Sequence, residues 1–278
     1  MKKIIVPVDF SDQSEYALEA AVKMAKNNSD TEILALHMLE MSNAVLNTSD
    51  VEQQQKMIFF LRLAEKRFTE FLDKPIFKNA TITPIVKQFK VFSEVNDVAK
   101  EHGVDLIIMG SQGTSGFSEF FVGSNTEKVV RHSEIPVLVL KDRFSKDIFN
   151  DVVYASDFSL ESVDVYKRMT NLFKDLNTKL HLIYVNLPSD RFRSSNEMEQ
   201  TVSDFLMRAE GNLDKLKEVN FISDYSVEKG VLNFANKMGA DLIAVATHGR
   251  TGIAHFFEGS ISEDIANHSV LPVMTFKR

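Results

Sequence analysis

One glycine-rich segment of the chain has the residue types and spacing to hold an anion. Residues 110 to 125, GSQGTSGFSEFFVGSN, contain four of the chain's 11 glycines and directly follow the apolar run VDLIIM. Glycine accepts positive φ and lets a ligand approach the main chain, so such a segment can aim backbone N–H groups at a phosphate. Ser124 stands where the next helix is expected to begin, as an N-cap whose neighbouring free amides favour an anion. The segment therefore predicts a phosphate-binding loop between a buried strand and a helix.

An aspartate at the end of the first apolar run adds a second chemical function. In an open α/β sheet, small ligands bind beyond the carboxyl ends of the strands, where the strand order reverses. If the strand before Asp9 and the strand before Gly110 are neighbours, the carboxylate and the glycine loop face one crevice. Asp9 is an acceptor suited to ribose hydroxyls or a metal ion, and the apolar strand ends at Val8, Met38 and Met109 would cover a flat base. The two features together predict a nucleotide site.

The whole pattern occurs twice in the chain. The segment IIVPVDFS (4–11) matches VVYASDFS (152–159), and GSNTEKVVRHSEIPVLVL (123–140) matches GSISEDIANHSVLPVMTF (259–276). Two copies, each long enough for its own core, indicate a domain duplication and not a solenoid. We therefore predict domains at 1–142 and 150–278, joined by a linker at 143–149. The second copy is about a dozen residues shorter, near its second helix and third strand.

The elements that must position these residues are strands alternating with amphipathic helices. Predicted strands of the first copy lie at 4–8, 32–38, 81–88, 105–109 and 136–140. Such alternation indicates βαβ units and a parallel sheet with helices on both faces. Asp12 and Glu15 predict a capping box for the first helix, and His37 and His181, on the second strands, are interpreted as core or surface histidines and not as ligands.

Composition and missing motifs exclude several classes of protein. A net charge of −7 without a basic run argues against nucleic acid or an anionic membrane as the main partner. No segment approaches the roughly 20 apolar residues of a membrane span, and with no cysteine, disulfides and thiolate catalysis are excluded. There is no GxxxxGK[ST] loop, no HExxH metal spacing, and the glycines follow the fourth strand and not the first. No metal site of protein side chains alone is predicted, and the lack of a targeting segment predicts a cytoplasmic location.

The glycine spacing resembles that of a known family. Gly110-x2-Gly113-x9-Gly123-Ser124, preceded by a strand-one Pro-Val-Asp and followed by a Pro-Val-Leu-Val strand, is similar to the ATP-binding subgroup of the universal stress protein family. The resemblance covers nearly the whole chain, twice over. It implies two tandem Rossmann-like α/β domains, each a five-stranded parallel sheet of order 3-2-1-4-5 with helices on both faces. It also implies ATP, or ADP or AMP, as ligand, with or without Mg²⁺.

The same resemblance assigns contacts by motif position. In the first copy it places Asp9 at the ribose, Pro7, Met38 and Met109 near the adenine, and Gly110, Gly113, Gly123, Ser124 and Asn125 at the phosphates. In the second copy the corresponding residues are Asp157, Val185, Val245, Gly249, Arg250, Gly259, Ser260 and Ile261. Ala246 stands where the first motif glycine belongs, so the first copy is the favoured site, although a guanidinium at Arg250 could pair with phosphate.

Together these features predict an adenine-nucleotide-binding regulatory protein of the stress response, with no catalytic residue set. Two alternatives are a slow ATPase or phosphate-transfer protein, and a ligand-free protein-interaction module. The last strand of each domain is an edge, and the resemblance implies that PVLVL (136–140) pairs with PVMTF (272–276) inside one chain, as a pseudo-dimer. A homodimer of the chain is a further expectation.

Overall fold

The computed structural model describes residues 1–26, 30–40, 50–89, 94–111, 124–144, 146, 149–247, 265 and 269–278. The chain divides into two compact units. Of the described residues, 1–111 and 124–146 belong to the first unit and 149–278 to the second. The predicted domain limits at 142 and 150, and the linker between them, stay a prediction.

The first unit is an α/β domain built on a parallel sheet. Its strands are β1 (Lys3–Pro7), β2 (Glu32–Glu40), β3 (Ile82–Phe89), β4 (Leu106–Gly110) and β5 (Val137–Leu140). Its helices are α1 (Asp12–Lys26), α2 (Asp50–Leu72), α3 (Val95–Glu101) and α4 (Ser124–His132). The strand order is β3-β2-β1-β4-β5 and every pair is parallel. The order 3-2-1-4-5 and the parallel sheet are therefore confirmed.

Burial explains why the central strands are continuous apolar runs. Ile4 and Ile5 of β1, and Ile107 and Ile108 of β4, have no exposed surface, as expected for strands covered on both faces. Helix α1 buries one apolar face, which includes Ala17, Leu18, Ala21 and Val22. The sheet is thus the core of the unit, and its strand ends are the places left for polar groups.

The start of α1 differs from the prediction. Ser11, and not Asp12, is the capping residue, because its hydroxyl accepts the N–H of Ser14 at 3.3 Å and its carbonyl accepts the N–H of Glu15 at 3.0 Å. The Glu15 carboxylate pairs instead with Lys74. The predicted capping box was therefore wrong. The helix is capped by Ser11, one residue before Asp12, and Glu15 forms an ion pair with Lys74.

The second unit repeats the architecture. Its strands are β6 (Asp151–Ala155), β7 (Lys179–Asn186), β8 (Asn220–Ser223), β9 (Leu242–Thr247) and β10 (Val273–Lys277). Its helices are α5 (Val163–Asp175), α6 (Ser195–Glu210) and α7 (Val227–Met238). The strand order is β8-β7-β6-β9-β10, again all parallel. Within the residues described, no helix of either unit is long and apolar enough to cross a membrane.

The two units differ in length where the sequence comparison predicts a loss. Helix α2 has 23 residues and β3 has eight, whereas α6 has 16 and β8 has four. A second difference was not predicted. A 3₁₀ turn, Leu160–Ser162, precedes α5, whereas α1 is α-helical from Asp12. The turns after β1 and β6 are alike, and the two units differ in the first turn of the helix that follows.

Candidate functional site

A crevice opens in the first unit at the carboxyl ends of β1 and β4. Strand β1 pairs with β2 on one side and β4 on the other, so the strand order reverses here, where ligands of open α/β sheets bind. The cavity measures about 250 Å³. Its lining residues are Pro7, Val8, Asp9, Ser11, Gln13, Ser14, Leu36, His37, Met38, Met109, Gly110, Ser111, Asn125 and Thr126.

Six of the nine residues predicted for this site line the crevice. They are Pro7, Asp9, Met38, Met109, Gly110 and Asn125. Ser124 begins α4, and its side chain lies outside what the structure describes, as do Gly113 and Gly123 entirely. The predicted meeting of the strand-one aspartate with the end of β4 is thus present in the structure.

Asp9 is held in a turn that leaves one carboxylate oxygen open. Its Oδ1 accepts the N–H of Ser11 at 3.0 Å and the hydroxyl of Ser11 at 2.5 Å. The hydroxyl of Ser14 donates to the Ser11 carbonyl at 2.9 Å and also lies close enough to the Asp9 carboxylate to help lower its pKa, whereas the hydrogen bonds of normal length from the described residues all go to Oδ1. Burial alone would raise the pKa of Asp9, but the hydrogen bonds from Ser11 outweigh it and lower the pKa. Asp9 is therefore an ionised acceptor at neutral pH.

Phe10 gives this turn its shape. Its φ of 67° lies in the left-handed region, which is uncommon for a bulky residue, and Phe158 repeats it in the second unit with φ of 51°. The Phe10 ring packs against His37 and Phe68, with centroids 4.6 and 5.1 Å away. Ring packing offsets the backbone strain, and the resulting turn presents the Asp9 carboxylate to the Ser11 N–H.

The end of β4 approaches α1 closely, and this explains Gly110. A β-carbon on Gly110 would overlap the backbone carbonyl of Gln13 and lie 2.9 Å from the Gln13 β-carbon. Helix–strand packing therefore requires glycine at this position, whether or not a ligand is bound. The Gly110 carbonyl accepts the hydroxyl of Thr126 at 3.4 Å, which ties the first turn of α4 to the same strand end.

Ser111 carries a buried hydroxyl at the crevice. Its N–H donates to the Leu140 carbonyl at 2.8 Å, and its side chain is only 2% exposed. Within the part of the chain that the structure describes, its Oγ has no hydrogen-bond partner. Buried hydroxyls normally have partners, so this one is suited to a ligand. The sequence analysis missed Ser111 because a serine after a strand carries no signal of burial by itself.

His37 also lines the crevice, which the sequence analysis did not predict. Its Nδ1 donates to the Val8 carbonyl at 2.7 Å, since a carbonyl can only accept. The ring packs on Phe10, so the interpretation as a core or surface histidine describes part of its position. Among the residues described, no group of three or more His, Asp or Glu side chains is placed to hold a metal ion.

The equivalent edge of the second unit is arranged differently. Asp157 accepts the Ser159 N–H and the Ser162 hydroxyl on Oδ1, both at 3.0 Å, and the Arg278 guanidinium on Oδ2 at 2.8 Å. Burial alone would raise the pKa of Asp157, but these partners, Arg278 foremost, hold it below its usual value. The carboxylate is thus engaged on both oxygens.

The other predicted residues of the second unit divide into two groups. Val245 is buried in the core and pairs with Ala155 of β6, while Val185 packs so closely on α7 that a β-carbon on Gly230 would lie 2.8 Å from its Cγ1. Gly249, Arg250, Gly259, Ser260 and Ile261 lie outside the described residues. The structure therefore places three of the eight residues predicted there.

Each unit is built on a sheet of five parallel strands, and the first unit has a crevice where the strand order reverses. These features define a tandem Rossmann-like α/β protein. The profile of the Universal stress protein family matches residues 1–141 and 149–277. The chain belongs to the universal stress protein family.

Individual relatives agree with the duplication. Universal stress protein MJ0577 of Methanocaldococcus jannaschii is 32% identical over 161 residues, which are 52% of this chain and 97% of the relative. Universal stress protein YxiE of Bacillus subtilis is 33% identical over 148 residues, or 50% of this chain and 98% of the relative. A solved universal stress protein from Archaeoglobus fulgidus matches 100% of this chain and 98% of its own, with a TM-score of 0.73 and 22% identity, which shows the shared fold. The two relatives thus match about half of this chain, whereas the solved structure matches all of it.

Proposed function

We propose that the first unit binds an adenine nucleotide, ATP or the related ADP or AMP, and that the protein acts as a regulator and not as an enzyme. The observation that carries the proposal is the crevice between β1 and β4, which combines an open carboxylate oxygen, a buried hydroxyl and an apolar wall. Family membership supports it. The role in the stress response and the cytoplasmic location are proposals from the sequence.

The polar groups of the crevice suit a nucleoside with its phosphates directed away from the aspartate. Ionised Asp9 attracts hydroxyl donors and repels phosphate, so the ribose belongs at Oδ2 and the phosphates on the side of α4. The first turn of α4 carries backbone N–H groups that have no partner within the helix, together with the positive end of the helix dipole, and Asn125 and Thr126 lie in this turn. Charge thus gives the ligand one orientation.

The apolar groups and the size of the cavity agree with this orientation. Val8 and Met109 are almost fully buried and Met38 is 9% exposed, so their contacting surfaces form a dry wall for a flat base. A volume of about 250 Å³ lies near the lower end of the roughly 300 to 1,000 Å³ of small-molecule sites. The enclosed space therefore suits the nucleoside, and the phosphates extend from it towards α4.

Calorimetry of dialysed protein with ATP, AMP and GTP tests the proposal. We expect ATP to bind, and Asp9→Asn to weaken ATP at least about tenfold, because it removes a charge-assisted acceptor while keeping the shape of the side chain. Asp12→Asn is the matched control: Asp12 is an exposed carboxylate three residues away, and its loss should leave affinity within about twofold. Wild-type protein that binds no adenine nucleotide, or Asp9→Asn protein that binds ATP as well as wild type, would contradict the proposal. Release of phosphate with Mg²⁺ and ATP would instead favour the slow-ATPase alternative.

A second candidate role, protein interaction, is favoured by an exposed apolar group on α2. Ile58 and Phe59 are 52% and 63% exposed, and Phe60 and Leu63 are 42% and 40% exposed. Exposed large apolar side chains that are adjacent to one another mark interaction sites. If this face joins two copies of the chain, Phe59→Ser should shift the mass measured by light scattering from dimer to monomer. Monomeric wild-type protein at working concentration would count against this role.

A further inference from the structure

Asp9 and Asp157 are equivalent residues in different electrostatic settings. Each follows the first strand of its unit, 148 positions apart, and each accepts the N–H of the serine two residues later on Oδ1. Oδ2 of Asp9 accepts no hydrogen bond from the described residues, whereas Oδ2 of Asp157 accepts one from a guanidinium. The difference lies in the oxygen that a ligand hydroxyl would use.

The guanidinium belongs to Arg278, which the end of β10 brings to this position. Its Nη2 lies 2.8 Å from Oδ2, its N–H donates to the Thr247 carbonyl at 2.9 Å, and its side chain is only 15% exposed. The equivalent position of the first unit, 136 residues earlier, is Asp142, which is exposed and has the opposite charge. The first unit thus has an acid where the second has this cation.

The contacts of Arg278 leave Asp157 little capacity for a ligand. Three donors already surround the carboxylate, from Ser159, Ser162 and Arg278. A ribose hydroxyl would have to replace the hydrogen bond of a cationic guanidinium with that of a neutral donor, which is the weaker partner for a carboxylate. The Asp157 side chain is 52% exposed, so solvent screens the pair and the competition is not prohibitive. Removal of the guanidinium should therefore change the outcome.

We propose that Arg278 is a specificity-determining residue that keeps nucleotide out of the second unit by occupying Asp157, so that the chain binds a single nucleotide, in its first unit. This inference rests on the proposed nucleotide binding of the first unit. In this role, the Arg278 guanidinium donates to Asp157 the hydrogen bond that a ligand hydroxyl would otherwise donate. It also predicts that one substitution restores capacity in the second unit.

The test compares nucleotide-to-chain ratios of wild type, Arg278→Gln and Arg278→Lys, measured by calorimetry and native mass spectrometry with ATP. We expect a ratio of about one for wild type and Arg278→Lys, which keeps the cation, and about two for Arg278→Gln, which removes it. Lys277→Gln is the matched control, because it removes a neighbouring charge without touching Asp157, and its ratio should stay at about one. Adding Asp9→Asn to Arg278→Gln should leave about one tight site, now in the second unit.

The outcomes separate this inference from the proposed function. A wild-type ratio of about two, or an Arg278→Gln ratio that stays at wild-type level in protein with an unchanged circular dichroism spectrum, would overturn the role of Arg278 and leave the proposed function standing. If neither wild type nor any variant binds ATP, the role of Arg278 and the proposed function are both overturned.

Discussion

A buried hydroxyl that lacks a hydrogen-bond partner lowers the stability of the unliganded protein, and Ser111 at the crevice has no such partner among the described residues. The cost is understandable if a ligand completes the hydrogen bond, because the same desolvation then contributes to affinity. Asp9 also presents a carboxylate oxygen at the crevice, but this residue is exposed and does not carry the same cost. Both side chains are placed by strand ends and not by flexible segments, so they are ready before the ligand arrives.

Ser111→Ala should therefore separate affinity from stability. We expect ATP affinity to fall about fivefold to tenfold, the value of roughly one hydrogen bond, and the free energy of unfolding to stay equal or rise slightly. Ser133→Ala is the matched control, because its hydroxyl is equally buried but donates to the Ile135 carbonyl at 2.7 Å. That variant should lose about 1 to 2 kcal/mol of stability and keep its affinity. Calorimetry with ATP and urea denaturation measure the two quantities, and a loss of stability without loss of affinity in Ser111→Ala would contradict the role.

Gly110 and Ala246 occupy equivalent positions and allow a paired test of packing. Gly110→Ala should destabilise the first unit by about 1 to 3 kcal/mol, because the methyl overlaps the Gln13 carbonyl and the first turn of α1 must move. The second unit has the 3₁₀ turn Leu160–Ser162 at this place, and Ala246→Gly should cost only about 0.5 to 1 kcal/mol. Urea denaturation followed by circular dichroism measures both variants. Equal small effects would show that the close approach at Gly110 is not required.

At the scale of elements, α1 is fastened to the segment after β5. Glu19 is buried, with a side-chain exposure of 3%, and Arg143 donates two hydrogen bonds to it at 2.6 Å. Lys23 of the same helix donates to the Phe144 carbonyl at 2.6 Å. Because the first turn of α1 lines the crevice, this fastening also fixes the position of Ser11 and Ser14.

Arg143→Ala should destabilise the protein more than the double variant Glu19→Gln with Arg143→Ala. The single change leaves a buried carboxylate without its counter-ion, whereas the double change also removes the charge. The midpoint of urea denaturation gives the order of the three proteins. A double variant that is less stable than the single one would show that the carboxylate is not stabilised chiefly by Arg143.

The turn after β6 should give the second unit a specific response to acid. The pKa of Asp157 lies below the usual 3.8, so its ionised form stabilises the folded state above that value, and the contribution is lost as pH falls below it. Asp157→Asn should therefore be less stable than wild type at about pH 7, with a difference that shrinks on titration from about pH 5 to pH 3. The exposed Asp164→Asn serves as control, with a smaller effect on the denaturation midpoint at neutral pH. A pH-independent difference for Asp157→Asn would contradict the assignment.

The elements were easier to predict than the contacts at their ends. Strands β1 and β4 are continuous apolar runs and α1 has a clear buried stripe, so patterns within the sequence specify them. Ser111 and His37 depend on which strands become neighbours, and Phe10 depends on a left-handed turn that no residue preference of phenylalanine indicates. The pairing of Asp157 with Arg278 joins residues 121 positions apart, beyond the reach of any local pattern.

At the scale of the whole molecule, the two units share one fold but differ at the carboxyl ends of their central strands. Both units have the same strand order. The described residues of the first place an open aspartate oxygen at a crevice, while the second has an alanine, a 3₁₀ turn and an arginine at the corresponding positions. A second copy need not keep a ligand site if the first supplies it. The pairing of the last strands within the chain stays a prediction.

The most direct test of nucleotide binding in the first unit is the ratio of ATP to chain in dialysed wild-type and Asp9→Asn protein, measured side by side by calorimetry. We expect about one ATP per wild-type chain and at least about tenfold weaker binding by Asp9→Asn, because the carboxylate whose Oδ2 the described residues leave open has lost its charge. Wild-type protein that takes up no ATP, or an Asp9→Asn variant with unchanged affinity, would show that the crevice at β1 and β4 is not the nucleotide site.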